Sequence, residues 1–99
     1  MKHLKGSQKA YLLGLANALK PVVQIGKNGL TPELIAAISQ ALDSHELIKI
    51  KFLEFKEERK TLGKLIGEQT QAELIGMIGN VAIYYKQNPN PEKRKIPIA

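Results

Sequence analysis

The sequence predicts an α/β protein: a single-domain two-layer sandwich in the order α-β-α-β-α-β-β, with a mixed four-stranded sheet. Three observations predict this class. Apolar residues recur at helical spacing in three segments and form short strand-like runs in four others. A Gly-Asn pair separates the last two runs, as in a two-residue hairpin. A length of 99 residues suits one domain with a modest core, and alternating helices and strands pack as layers.

Two helices and the strand between them form the first half of the prediction. The first helix spans residues 7–19, and Pro21 ends it because a residue before proline is pushed toward extended geometry. A short strand follows over residues 22–25, where three of the four residues are β-branched and apolar. The second helix spans residues 32–44, and Thr31 is its expected N-cap.

The next strand and helix are rich in charge. Residues 47–53 alternate in character, which places Lys49 and Lys51 on one face of a strand and the core on the other. That charged face is equally typical of a solvated surface and of a binding surface. A third helix is predicted over residues 54–69. Its expected apolar seam consists of Leu62, Leu65, Ile66 and Gln69.

The C-terminal part is predicted to hold two antiparallel strands and a tail. The strands cover residues 73–78 and 81–86. They complete a domain of residues 1–86. Residues 87–99 form a basic, proline-containing tail that is expected to be irregular and mobile, with Ile96 and Ile98 pinning its end to the domain.

Positive charge is concentrated at both ends of the chain. The net charge is +6, and residues 1–32 contain five lysines and no acidic residue. Residues 33–85 carry a net charge of −2, and residues 86–99 carry +3. Such a distribution favours a polyanionic partner, nucleic acid before membrane, over a basic surface that only aids solubility. The absence of any long apolar run argues against a membrane span or a secretory signal.

The stretch between the first strand and the second helix is the candidate binding element. Gly26, Lys27, Asn28 and Gly29 form a Gly-x-x-Gly turn that leads into the helix capped by Thr31. Glycines let a ligand approach the backbone, and a helix N-terminus presents free N–H groups to an anion. Two glycines at this spacing are a weak motif alone, but Lys27 and the acid-free segment around it favour phosphate binding.

The sequence contains no recognisable combination of residues for catalysis or metal binding. There is no cysteine, His3 is near the terminus, and His45 is expected in a turn. The acidic residues have no metal-ligand spacing, and the glycine turn lacks the Gly-Lys-Ser/Thr ending of a nucleotide-binding loop. The sequence therefore predicts no catalytic residue, no metal and no cofactor. Aromatic residues are few, and one of Tyr84 and Tyr85 is expected to face outward. A tyrosine there could stack on a base, but a place at the edge of the core is the role that we favour for it.

Two segments resemble the CRM domain family, whose stand-alone bacterial members are the YhbY-like proteins. They are residues 20–31, KPVVQIGKNGLT, and residues 41–51, ALDSHELIKIK. The resemblance covers nearly the whole chain, although the tail is longer before its basic cluster. It implies an RNA-binding domain with a KH-like loop at Gly26, Lys27, Asn28 and Gly29. In bacteria it implies association with precursors of the large ribosomal subunit, and in plant organelles the same domain serves in intron splicing.

We therefore expect a non-catalytic, monomeric, cytoplasmic protein that binds ribosomal RNA of the large-subunit precursor and assists ribosome assembly, with ribosomal proteins as possible further partners. The alternative is a protein-interaction module that docks on a ribosomal protein or an assembly factor, which the acidic third helix favours. A hydrolase or phosphate-transferring enzyme is the third alternative, and the missing nucleophile and base argue against it. The expected RNA-binding residues are Gly26, Lys27, Asn28, Gly29, Thr31, Lys5, Lys9, Lys20, Lys49 and Lys51.

Overall fold

Three helices and four strands follow one another in the predicted order along residues 4–98, the residues that the computed structural model describes. Predicted and observed bounds agree within a few residues except at the third helix. The elements are α1 (Gly6–Ala16), β1 (Val23–Ile25), α2 (Pro32–His45), β2 (Leu47–Phe52), α3 (Arg59–Thr70), β3 (Glu73–Ile78), β4 (Val81–Tyr85) and a short 3-10 helix (Pro91–Lys93).

The four strands form one mixed sheet in the order β1-β2-β4-β3, which confirms the predicted α/β class and strand number. Strand β1 runs parallel to β2, and β4 is antiparallel to both of its neighbours. Strands β1, β2 and β3 therefore end at the same edge of the sheet. We call this edge the loop end, because residues 26–29 follow β1 there. The opposite edge is the tail end, where Glu46 precedes β2 and Tyr85 ends β4.

Helices cover both faces of the sheet, so the domain has three layers. The prediction of two layers is wrong in this respect. Helices α2 and α3 pack on one face, around Ile38, Ile50 and Ile66. Helix α1 packs on the other face. There Leu12 and Ala16 contact strand side chains that alternate along each strand with those facing α2 and α3. The reason is that β2, β3 and β4 carry apolar residues on both faces. Those on the α1 face are Leu47, Ile75, Ile83 and Tyr85.

The prediction that one of the two adjacent tyrosines faces outward is wrong. Tyr84 and Tyr85 do point to opposite faces, but both are buried because each face has its own helical cover. The Tyr84 hydroxyl donates to the Gly63 carbonyl of α3 at 2.7 Å. Neither ring is therefore available to stack on a ligand.

The third helix begins at Arg59, five residues later than predicted. Residues 53–58 form a loop instead, because the N–H groups of Leu53 and Glu54 both donate to the Ile25 carbonyl, at 3.0 and 3.1 Å. Phe55 then takes a positive φ of 58°, which a right-handed helix does not contain. Local composition favoured a helix here, and pairing with the end of β1 prevented it.

The buried side of α3 also differs from the predicted seam. Of the four predicted residues, Leu62 and Ile66 pack in the core, whereas Leu65 and Gln69 are exposed. Gly63, Gly67 and Thr70 are also buried. A methyl group added to Gly63 would lie 2.9 Å from the Met77 Cε atom. Small residues thus let this helix approach the sheet closely, a feature that an apolar pattern does not reveal.

The tail is irregular, as predicted, but it is fixed to the domain over its described residues. Buried Glu46 accepts hydrogen bonds from the N–H groups of Asn88, Lys95 and Ile96, at 2.6, 2.7 and 3.0 Å. Ile96 and Ile98 pack against the α1 side of the core, as predicted. A carboxylate from the middle of the chain thus supplies the acceptors that hold the tail against the domain.

Candidate nucleic-acid interface

The Gly-x-x-Gly segment forms a tight turn between β1 and α2. The Gly29 N–H donates to the Gly26 carbonyl at 3.1 Å, which closes a four-residue turn. Gly29 has a φ of +66°, a conformation that L side chains rarely adopt. Lys27 and Asn28 occupy the two central positions, and both are exposed. The turn therefore presents two polar side chains at its tip on a defined backbone.

The backbone of this turn is open to an approaching molecule. A methyl group built on Gly26 meets no atom within 4 Å, and Gly26 does not have a positive φ. Across residues 4–98, the N–H groups of Lys27 and Asn28 donate to no other backbone group. Successive free N–H groups ahead of a helix N-terminus are suited to an anion such as phosphate.

Thr31 acts on the helix rather than at the surface of the turn. Its Oγ1 atom accepts a hydrogen bond from the Leu34 N–H at 3.1 Å, and Pro32 follows at the first helical position. This is the predicted N-cap, with Glu33 in the first helical turn. Thr31 thereby fixes the direction in which α2 leaves the turn, which aligns the start of the helix with the loop.

An aromatic ring that sequence reasoning did not place at the site lies against the turn. Atoms Cε2 and Cζ of Phe55 are 3.5 and 3.6 Å from the position that a Gly29 Cβ would occupy. The ring is 40% exposed. In the sequence Phe55 is one of five aromatic residues, and nothing local to it indicates that residues 53–58 fold back on β1.

Two of the predicted lysines lie toward the loop end of the sheet. Lys27 is in the turn, and exposed Lys51 pairs with Gln24 of β1, on the face that α1 covers. Lys49 is on that same face, but its ammonium group donates to the Leu19 carbonyl after α1, at 3.0 Å. This lysine therefore has a structural contact that ties the end of α1 to the sheet.

The remaining predicted lysines are not gathered around the turn. Lys20 precedes β1 and lines a cavity of about 480 Å³ near the tail end, beside His45 and Leu47. Lys5 and Lys9 lie in or before the first turns of α1, and the neighbouring Leu4 N–H donates to Glu73 at the start of β3. The exposed tail residues 93–95 are also at the tail end, since the backbone N–H of Lys95 donates to the Glu46 carboxylate. The basic groups thus occupy both ends of the sheet.

Histidine and acidic side chains are the groups that a metal site or an acid–base site would use. No group of three or more His, Cys, Asp or Glu residues is placed to hold a metal ion within residues 4–98. His45 is exposed at the rim of the 480 Å³ cavity, whose lining is mostly apolar, and His3 lies outside the described residues. Among these same residues, the helices are too short or too polar to cross a membrane.

A family model and several known proteins match nearly the whole length of this chain. Residues 4–86 match the family model described as the CRS1 / YhbY (CRM) domain. A Haemophilus influenzae protein named RNA-binding protein is 39% identical over 99 residues, covering 99% of this chain and 97% of its own length. A Pseudomonas aeruginosa protein named "Probable RNA-binding protein PA4753" is 36% identical over 91 residues, covering 91% and 88%.

A solved structure supports the same relationship. The solution structure of the hypothetical protein SAV1595 from Staphylococcus aureus superimposes with a TM-score of 0.79 at 33% identity. It covers 96% of this chain and 100% of that one. With a family model that spans most of the sequence and relatives above 30% identity over nearly their full length, the chain belongs to the CRS1/YhbY (CRM) domain family.

Proposed function

We propose that this protein binds RNA through the turn of residues 26–29 and does so without catalysis. The observation that carries the proposal is the open backbone at Gly26, followed by exposed Lys27 and by the capped start of α2. Relatives of similar length named as RNA-binding proteins support the ligand class. Phosphate is the part of RNA that such a turn recognises, so contact with the backbone dominates over base recognition here.

We further propose that the RNA is ribosomal RNA of the large-subunit precursor, that the protein assists ribosome assembly, and that it acts in the cytoplasm. The resemblance of residues 20–31 and 41–51 to stand-alone bacterial members of the family supports this assignment. The net charge of +6 suits a polyanionic partner such as ribosomal RNA. Lys51 extends the positive surface near the turn.

Replacement of Lys27 by alanine tests the contact. If the Lys27 ammonium neutralises one phosphate, the variant binds more weakly. The slope of log affinity against log salt concentration is then smaller in magnitude by about 0.7 to 1. Affinity for large-subunit ribosomal RNA is measured between roughly 50 and 200 mM salt, with transfer RNA as the competitor.

Lys64→Ala is the matched control, because it removes the same charge from an exposed position on α3. We expect it to leave both the affinity and the salt dependence close to those of the wild type. A Lys27→Ala variant with an unchanged slope would contradict the phosphate contact. Equal competition by transfer RNA would contradict the ribosomal part of the proposal while leaving RNA binding in place.

A further inference from the structure

Phe55 is placed beside the turn in a way that core packing does not explain. Its ring lies beside Gly29, 3.5 Å from the position that a Cβ atom would occupy there, yet the residue is 40% exposed. Its φ of 58° is a conformation that bulky L residues rarely adopt, so the chain holds the ring here at a cost in free energy. An exposed aromatic ring recovers little of that cost through burial.

The backbone around Phe55 is fixed to the same strand that carries the turn. The N–H groups of Leu53 and Glu54 share the Ile25 carbonyl, which directly precedes Gly26. On the other side, the Glu58 N–H donates to the Phe55 carbonyl at 3.1 Å. The ring and the turn therefore form one unit whose relative position is set by hydrogen bonds to a single residue of β1.

The charges near the ring differ from those of the turn. Exposed Glu54, Glu57, Glu58 and Lys56 line, together with Phe55, an open depression of about 360 Å³, so acidic groups outnumber the single basic group there. Carboxylates repel a phosphate group, whereas Lys27 attracts one. A nucleotide bound here would consequently place its phosphate toward Lys27 and its uncharged base toward Phe55.

We propose that Phe55 stacks against an unpaired base of an RNA strand whose phosphate is bound by the turn. The inference rests on the proposed function and adds the form of the ligand, a single strand rather than a duplex. Base stacking on an aromatic side chain tolerates any of the four bases, because each base has a π-face. The site therefore selects strandedness more than sequence.

Replacement of Phe55 by leucine tests the stacking. Leucine retains an apolar contact with Gly29 but has no aromatic face. We expect affinity for a fluorescein-labelled octauridylate to fall by between about fivefold and 150-fold, the range for loss of one stacked base. We expect the salt dependence to stay at the wild-type slope, since no charge is removed. Tyr11→Leu, which alters the exposed ring of α1, is the matched control and is expected to bind as the wild type does.

Replacement of Phe55 by tryptophan gives a second readout that does not depend on how well the leucine variant folds. The natural sequence contains no tryptophan, so the introduced indole is the sole one. We expect octauridylate to quench its fluorescence and an abasic ribose-phosphate strand of the same length to leave it unchanged. The abasic strand still offers phosphates to Lys27.

Three results would overturn the stacking proposal: leucine-variant binding within twofold of the wild type, a changed salt slope in that variant, or equal quenching by the abasic strand. If the wild type binds RNA and any of these occurs, only the stacking is wrong. If the wild type binds neither single-stranded nor duplex RNA, the proposed function fails with it.

Discussion

At the scale of single residues, the two glycines of the turn serve different purposes. Gly29 has a positive φ, so the backbone itself demands glycine at that position. Gly26 has neither a positive φ nor a neighbour that a methyl group would touch. The structure of the free protein therefore gives no reason for glycine at residue 26, whereas the phosphate contact that we propose would give one.

Alanine substitutions separate these two roles. We expect Gly26→Ala to unfold at nearly the wild-type denaturant concentration but to bind octauridylate more weakly, because the new methyl group occupies the path of the phosphate. Gly29→Ala should lower the free energy of unfolding by about 1–2 kcal/mol, the cost of the left-handed conformation. Urea denaturation and fluorescence anisotropy with the same oligomer provide the two measurements.

Gly14→Ala is the control for both variants. Gly14 lies in the exposed interior of α1, and an added methyl group meets no atom within 4 Å. It should raise helix stability by up to about 1 kcal/mol without affecting binding. Wild-type affinity in a stable Gly26→Ala variant would rule out close approach of the ligand at Gly26.

At the scale of elements, two irregular segments depend on partners far away in sequence. Residues 53–58 are held by the Ile25 carbonyl, and the tail is held by the carboxylate of Glu46. Glu46 itself has a φ of 64° and links α2 to β2 at the tail end. These contacts give defined positions to segments that have no regular hydrogen-bond pattern of their own.

Replacement of Glu46 by alanine should release the tail. Alanine keeps the same backbone strain but removes the acceptor for three N–H groups, so we expect a loss of about 2 kcal/mol or more in unfolding free energy. Trypsin should then cleave faster after the basic residues 93–95. Limited proteolysis followed by mass spectrometry measures the rate at these bonds.

Glu92→Ala is the matched control, since Glu92 is an exposed acidic residue of the same tail. It should leave the cleavage rate near that of the wild type. Cleavage of the Glu46→Ala tail no faster than in the wild-type protein would show that the tail is held chiefly by Ile96 and Ile98 instead.

At the scale of the whole molecule, a sheet covered on both faces buries a tyrosine that strand alternation predicted to face outward. Tyr85 is the clearest example, because its ring is 1% exposed and its hydroxyl has no hydrogen-bond partner within residues 4–98. Burial is the main cause that raises the pKa of Tyr85 to about 12, with the nearby Glu46 carboxylate adding to the rise and Arg94 opposing it. Burial also raises the pKa of Tyr84 well above its usual range.

These shifts predict a loss of stability in alkaline solution. An unfolded tyrosine releases its proton near pH 10, whereas Tyr85 in the folded chain retains its proton to about pH 12. The unfolded state therefore binds fewer protons between these values, and the free energy of unfolding falls as the pH rises. Urea denaturation from pH 9 to 12 should show a smaller decrease for Tyr85→Phe than for the wild type. Equal decreases would contradict the role of Tyr85.

The sequence by itself determined most of what is local. It specified the order of the helices and strands, the hairpin between β3 and β4, and the strand-turn-helix unit of residues 22–44 that contains the candidate site. These features depend on side-chain periodicity, on glycine in turns and on an N-cap, all of which act within a few residues. The segments 20–31 and 41–51 also indicated the family.

The tertiary structure alone decided which residues meet across the chain. It placed α1 on the second face of the sheet, buried both tyrosines of β4, separated Lys20 from the turn and brought Phe55 against Gly29. Each outcome depends on contacts between residues distant in sequence, such as the amides of residues 53 and 54 with the Ile25 carbonyl. Local pattern carries no information about such pairings, because their free energy is gained only when the whole sheet has formed.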